Sequence, residues 1–137
     1  MRVQAAPDAH LDWLTERTTY VPTAGCRAIE AIDGAGKIRG MVAYDHWAKN
    51  SVQMHVALDA PIVARSLLAP AFGYPFEMVG LGVVIGIVPA ENTKSAEHAR
   101  RLGFTETHRI KDGWDVGSDL IVFEMRKENC RWLKGKA

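Results

Sequence analysis

The sequence is poor in the features that usually announce a function. It has two cysteines, Cys26 and Cys130. Two are too few for a disulfide framework and they stand in no metal-ligand spacing, so no metal site is expected and both are read as reduced thiols of a cytoplasmic protein. No apolar stretch reaches the roughly 18 residues that span a bilayer, and the opening MRVQAAPDAH lacks the apolar segment of a signal peptide, so neither membrane insertion nor export is expected. Charge of one sign is also missing. The net charge is +1, which leaves no global field aimed at nucleic acid. The one local surplus, in Arg126, Lys127, Arg131, Lys134 and Lys136, is read as a solvated tail that is loose from about residue 128 onward. No Ser-His-Asp, zinc-ligand or phosphate-loop pattern occurs, and Gly80-Leu81-Gly82 precedes a strand rather than a helix, which excludes a dinucleotide fingerprint.

What remains is an ordinary globular composition, 47% hydrophobic and 24% charged, in a chain whose 137 residues fit one domain spanning 1–137. Strands are expected at Arg2–Ala5, Arg27–Asp33, Lys37–Tyr44, Ser51–Asp59, Leu81–Val88, Phe104–Lys111 and Asp119–Lys127. Asp33-Gly34 between two such runs signals a hairpin. Alternation of Val52, Met54, Val56 and Leu58 with Gln53, His55 and Ala57 gives the third long strand one apolar face. The nearly continuous apolar run Leu81–Val88 reads as a strand buried on both faces. A short helix is expected to start at Asp8 as its cap, and a longer one to run over Ile62–Phe76, kinked or broken at Pro70 and Pro75. Hairpins mixed with crossover helices imply an α/β (α+β) fold: a mixed, mostly antiparallel sheet of six or seven strands with helices on both faces.

The densest information lies in Val83–Phe104, VVIGIVPAENTKSAEHARRLGF. An apolar strand stops at Pro89, a polar turn with Asn92 follows, a polar and basic helix runs over Thr93–Leu102, and Gly103-Phe104 opens another strand. The turn presents backbone N–H groups and an amide at a helix N-terminus, which suits an anionic or amide-rich ligand. This order of strand, Asn, helix and Leu-Gly-Phe resembles the acyl-CoA-binding segment of the GNAT N-acetyltransferases, and the order of elements from about Arg27 to Lys127 resembles that fold as well.

The resemblance implies a GNAT-type N-acyltransferase that moves an acyl group from acetyl-CoA to a small-molecule or peptide primary amine, by direct attack in a ternary complex. A homodimer is a possible arrangement, and a non-catalytic module that binds coenzyme A or a protein is the alternative. It places the cofactor arm against Val88, Asn92 and Ser95, with Asn92 either capping the helix, touching the cofactor, or both. It places the pyrophosphate at Leu58, Ile62, Val63, Ala64, Arg65 and Ser66. There the sequence departs from the family: Asp59 stands at the usual Gln/Arg position and Ile62 at the first Gly, while Ala64 matches and Arg65 supplies charge. The position of the family's frequent catalytic Tyr, seven residues after the Asn, is Ala99.

For a general base the best candidate is His55, on the polar face of its strand, because imidazole titrates near neutral pH. Asp45, His46 and Asp119 are weaker candidates, and His98 and His108 read as surface groups. The acceptor walls are expected in Trp13–Gly25 and Lys111–Ser118. Trp13, Trp47 and Trp114 either flank the substrate or plug the ends of the core.

Overall fold

A computed structural model of the chain describes residues 1–133. Among these, seven strands form one sheet in the order β1-β2-β3-β4-β5-β7-β6. The strands are β1 (Arg2–Ala5), β2 (Arg27–Ile32), β3 (Ile38–Asp45), β4 (Ser51–Leu58), β5 (Val83–Pro89), β6 (Thr105–Asp115) and β7 (Ser118–Arg126); the helices are α1 (Leu11–Thr15), α2 (Val63–Gly73) and α3 (Thr93–Leu102). All neighbours are antiparallel except β4 and β5. The mixed sheet with helices on both faces is the one expected.

The parallel pair matters most. β4 and β5 share a ladder only from Ser51–Val83 to Gln53–Ile85. Beyond it β4 stays with β3 as far as Leu58 and β5 stays with β7 as far as Pro89. The sheet therefore opens as a wedge in its middle, and the facing edges of Met54–Leu58 and Gly86–Pro89 lose their backbone partners there. Such edges hold unpaired N–H and C=O groups that an extended ligand can satisfy.

The two faces are covered unequally. On one, Val42, Tyr44, Val52, Met54, Val84, Phe123 and Met125 pack with Leu67, Leu68 and Phe72 of α2 and with Ala96 and Leu102 of α3. On the other, Met41 and Ala43 meet Leu14 and Tyr20 in a small second cluster. Because α1 has only five residues, it covers β3 and leaves β5 and β7 largely open on its side. The expectation that β5 is buried on both faces is therefore corrected: Val84 and Pro89 are buried and the residues around them only half-buried. Asp8 caps nothing, since Pro7 occupies the N-cap of the 3₁₀ turn that precedes α1.

The prolines also act differently from expectation. α2 runs through Pro70 without a break, and the turn after it widens into a π turn at Tyr74–Met78. Pro75 has no N–H to give the Ala71 carbonyl one turn back. The buried Tyr44 hydroxyl donates to that carbonyl instead, at 2.6 Å.

The C-terminal segment is packed rather than loose as far as residue 133. Cys130 and Leu133 are buried. The Arg131 guanidinium donates to the Arg101 carbonyl and the Trp132 indole donates to the Leu102 carbonyl. These are the unpaired last carbonyls of α3, whose C-cap, Gly103, takes the left-handed conformation at φ 108°. Lys134 and Lys136 lie outside the described residues.

Candidate active site

The wedge between β4 and β5 is a cleft of about 110 Å³ that runs through the sheet. Met54, His55 and Val56 line one wall and Gly86–Pro89 the other. Asn92, Ser95, His98, Ala99 and Leu102 of α3 close one mouth, and Thr18–Tyr20 close the opposite one. That space holds the volume of a few waters.

His55 projects to the α1 face, because its register partner is Ala43 and side chains alternate along a strand. Its Nε2 lies 2.8 Å from Asp45 Oδ1. A carboxylate only accepts, so in neutral His55 Nε2 carries the proton and Nδ1 keeps its lone pair. Asp45 is fully buried, and its other contacts are the Thr23 hydroxyl, which donates to Oδ2 at 3.2 Å, and His46 Nδ1, 3.1 Å from Oδ1. Burial alone would lift the Asp45 carboxyl; hydrogen bonds from His55 and His46 outweigh it and hold its pKa below the ordinary value. For His55 the balance goes the other way. Burial lowers it by more than Asp45 raises it, so the ring is neutral at neutral pH and able to accept a proton.

Tyr20 completes this mouth, stacked on His55. Its hydroxyl is buried without a hydrogen-bond partner. Burial, then the neighbouring Cys26 and Asp45, push its ionisation far above the usual range, so it stays a neutral phenol.

At the other mouth, Asn92 Oδ1 accepts from the Ser95 N–H at 3.1 Å and so caps α3. The cap spends the Asn92 amide oxygen and leaves its –NH₂ outside that bond, on a residue that lines the cleft. His98 is half-buried here, and burial, then the positive charge of Arg101, lower its pKa.

The structure thus brings His55, Val88, Asn92 and Ser95 together around one cleft. Leu58, Ile62, Val63, Ala64, Arg65 and Ser66 follow at the end of β4 and do not line it. The Val63 side chain is core, fully buried, and so only its backbone faces the helix end. The N–H groups of Val63, Ala64 and Arg65 already meet the carbonyls of Ala60, Pro61 and Ile62 at 3.1–3.2 Å. Ile62 is exposed, and the Asp59 carboxylate is held by Arg39 Nε at 2.6 Å, which offsets its charge. Arg65 is exposed.

Of the weaker candidates Asp45 joins the site, as a buried partner of His55. Tyr20, which the sequence did not single out, stacks on His55, and His98 lines the cleft rather than the surface. Alternation along β3 puts Asp45 on the His55 face, but nothing local pairs them; His108 is exposed as expected. Asp119 takes no part: its Oδ1 accepts from the Asp112 N–H within the β6–β7 hairpin. The tryptophans do not line the cleft either. Trp47 packs against Tyr44 and Tyr74, Trp13 lies under the Arg17 guanidinium, and Trp114 donates to Glu91 on the surface.

No protein-family model and no curated protein matches the chain. Solved structures do. Spermidine N-acetyltransferase SpeG of Vibrio cholerae, in a complex with CoA and spermine, aligns with a TM-score of 0.72 at 15% identity over 93% of this chain and 96% of that one. A dodecameric structure of the same enzyme in an intermediate state aligns with a TM-score of 0.75 at 15% identity over 99% of this chain and 98% of that one. At such identity the likeness establishes the fold, which is that of the GNAT N-acetyltransferases.

Proposed function

We propose that the protein is an acetyl-CoA-dependent N-acyltransferase acting on a primary amine by direct attack in a ternary complex. The observation that carries this is the wedge between β4 and β5, with a neutral, carboxylate-held histidine at one mouth and a capped helix N-terminus at the other. The amide-rich cofactor arm runs along the unpaired edge of β5 beside Val88, as an added strand. Asn92 and the first turn of α3, with Ser95, meet its inner end. The phosphates stay outside, near the start of α2. Since the backbone donors of Val63–Arg65 are engaged there, the Arg65 side chain carries more of that contact than the helix end does.

In the reaction the amine nitrogen attacks the thioester carbonyl and His55 Nδ1 takes the proton that it sheds, while Asp45 keeps the ring oriented. The acceptor is a small-molecule or peptide amine that enters from the α1 side, where the short α1 leaves room. SpeG was solved with a polyamine, which makes spermine a natural first acceptor to assay. A homodimer would close that open side. A cytoplasmic setting, in which Cys26 and Cys130 stay reduced thiols, goes with this reading. The non-catalytic alternative draws on Ala99 and on the engaged donors of α2, and differs in one respect: it binds without turnover.

The test is calorimetric titration with acetyl-CoA, followed by thiol-release assays with spermine, simple amines and peptide N-termini. One-site binding that weakens in Asn92→Ala and Arg65→Ala supports the reading. Failure to bind at millimolar acetyl-CoA would sink it, and binding with no thiol release in any assay would favour the non-catalytic module.

A further inference from the structure

The cleft contains a second histidine that the reading above leaves without a task. The titratable side chains lining it are Tyr20, His55 and His98. Tyr20 and His55 belong to the α1 face. α3 packs on the opposite face, with Ala96 and Leu102 in the cluster that holds Val84 and Phe104. Along α3 the cleft residues are Asn92, Ser95, His98, Ala99 and Leu102, one stripe at helical spacing. Asn92 spends its oxygen on the cap, and Ala99 and Leu102 have no polar atoms. The ring of His98 makes no hydrogen bond or ion pair among the described residues.

Acyl transfer has two ends. The nucleophile arrives at one side of the carbonyl, and the leaving group departs with a full negative charge that needs a donor. Resting on the acyltransferase reading, we propose that His98 donates a ring N–H hydrogen bond to the coenzyme A sulfur as the C–S bond breaks, so that the cleft has a histidine for each end of the reaction. The amine forms the C–N bond and its proton passes to His55. The C–S electron pair goes to sulfur, which His98 holds as thiolate. Solvent at the open mouth protonates the thiolate and takes the proton back from His55, so protons and electrons balance. Arg101, the charged neighbour of His98 on its own helix, favours the neutral donor form of the ring over the imidazolium. The small side chain of Ala99 beside it leaves room for the sulfur.

The test uses coenzyme A itself, so no acceptor need be known. The thiol of bound coenzyme A is titrated by the ultraviolet absorbance of its thiolate, in the wild type and in His98→Ala, His98→Gln and Ser95→Ala, with affinity measured in parallel by calorimetry. The expected result is an acid ionisation constant about tenfold larger for bound than for free coenzyme A, one pKa unit. It should return to the free value in His98→Ala and be partly kept in His98→Gln. Ala99→Tyr in the His98→Ala background restores a donor one residue away and should recover the shift. An identical thiol titration in wild type and His98→Ala, with coenzyme A bound in both, overturns the proposal and leaves the acyltransferase reading standing. Loss of the shift in Ser95→Ala instead assigns the donor to Ser95 and overturns it as well. Absence of coenzyme A binding to the wild type overturns both.

Discussion

Tyr20 lies flat on His55, with ring centroids 3.8 Å apart and planes within 18°. The stack fixes the plane of the imidazole, so that Nε2 stays on Asp45, and it covers one face of a ring that becomes cationic when it takes a proton. Tyr20→Leu is therefore expected to lower the turnover of amine acylation about tenfold, the scale of one aromatic pair. Tyr20→Phe keeps the stack and removes a buried hydroxyl that has no partner. It should retain activity and be at least as stable as the wild type. Equal loss of activity in both variants would show that the hydroxyl matters and the stack does not.

Asp45 and His55 tie stability to pH in the same direction, each in its own pH window. Its folded pKa is lowered, so its stabilising contribution is complete above the ordinary carboxylate value of about 3.9 and is lost as pH falls through the lower folded value. The folded pKa of His55 is also lowered, but a histidine so shifted binds its proton more readily in the unfolded chain. Stability therefore declines as pH falls below about 6.5. In Asp45→Asn the influence that raises His55 is gone. Its ring titration, followed by NMR, should move to still lower pH while turnover falls on the order of a hundredfold. A rise in the His55 midpoint would contradict the assigned hydrogen bond.

Asn92 has two separable tasks. Asn92→Ala removes the cap on α3 and should cost about 1 kcal/mol in denaturant unfolding. Asn92→Asp keeps the cap but loses the amide donor and adds negative charge beside the cofactor end. Its stability should stay near that of the wild type while acetyl-CoA affinity falls. If both variants bind acetyl-CoA normally, Asn92 is a cap alone.

The bond from Tyr44 to the Ala71 carbonyl answers the donor that Pro75 lacks. Tyr44→Phe removes the hydroxyl donor to that carbonyl and should destabilise by about 1–3 kcal/mol. Pro75→Ala in the Tyr44→Phe background supplies an N–H one turn on and should recover part of the loss. Additive destabilisation by the two changes would refute the link.

Leu133 is buried beside the end of α3. Leu133→Ala should cost about 2–4 kcal/mol, a core cost rather than a surface one. A change below about 0.5 kcal/mol would mean that the segment after residue 128 is the loose tail its composition implies.

Much of the fold is legible along the chain because it rests on local signals. Asp33 and the glycines after it set the β2–β3 hairpin, with Asp33 Oδ1 accepting from the Ala35 and Lys37 N–H groups. Asn92 and Gly103 bound α3 at the residues expected, one as a side-chain cap and the other through its positive φ. Alternation on β4 puts His55 on the polar side without reference to any tertiary contact. Composition, by contrast, misread the segment after residue 128, because its basic residues surround Cys130, Trp132 and Leu133, whose burial depends on where α3 ends.

The sequence by itself determined the elements, their order, the turn chemistry and the capped helix that faces the cleft, since each depends on residues a few positions apart. Tertiary structure alone decided that the β4–β5 ladder stops after Gln53 and Ile85, that Asp45 is buried against His55, that Tyr20 stacks on it, and that His98 faces the same cleft from the opposite side of the sheet. Those contacts join segments separated by loops and helices. Their strength comes from burial and from a low dielectric that forms only when the sheet closes, and no periodicity along the chain encodes them.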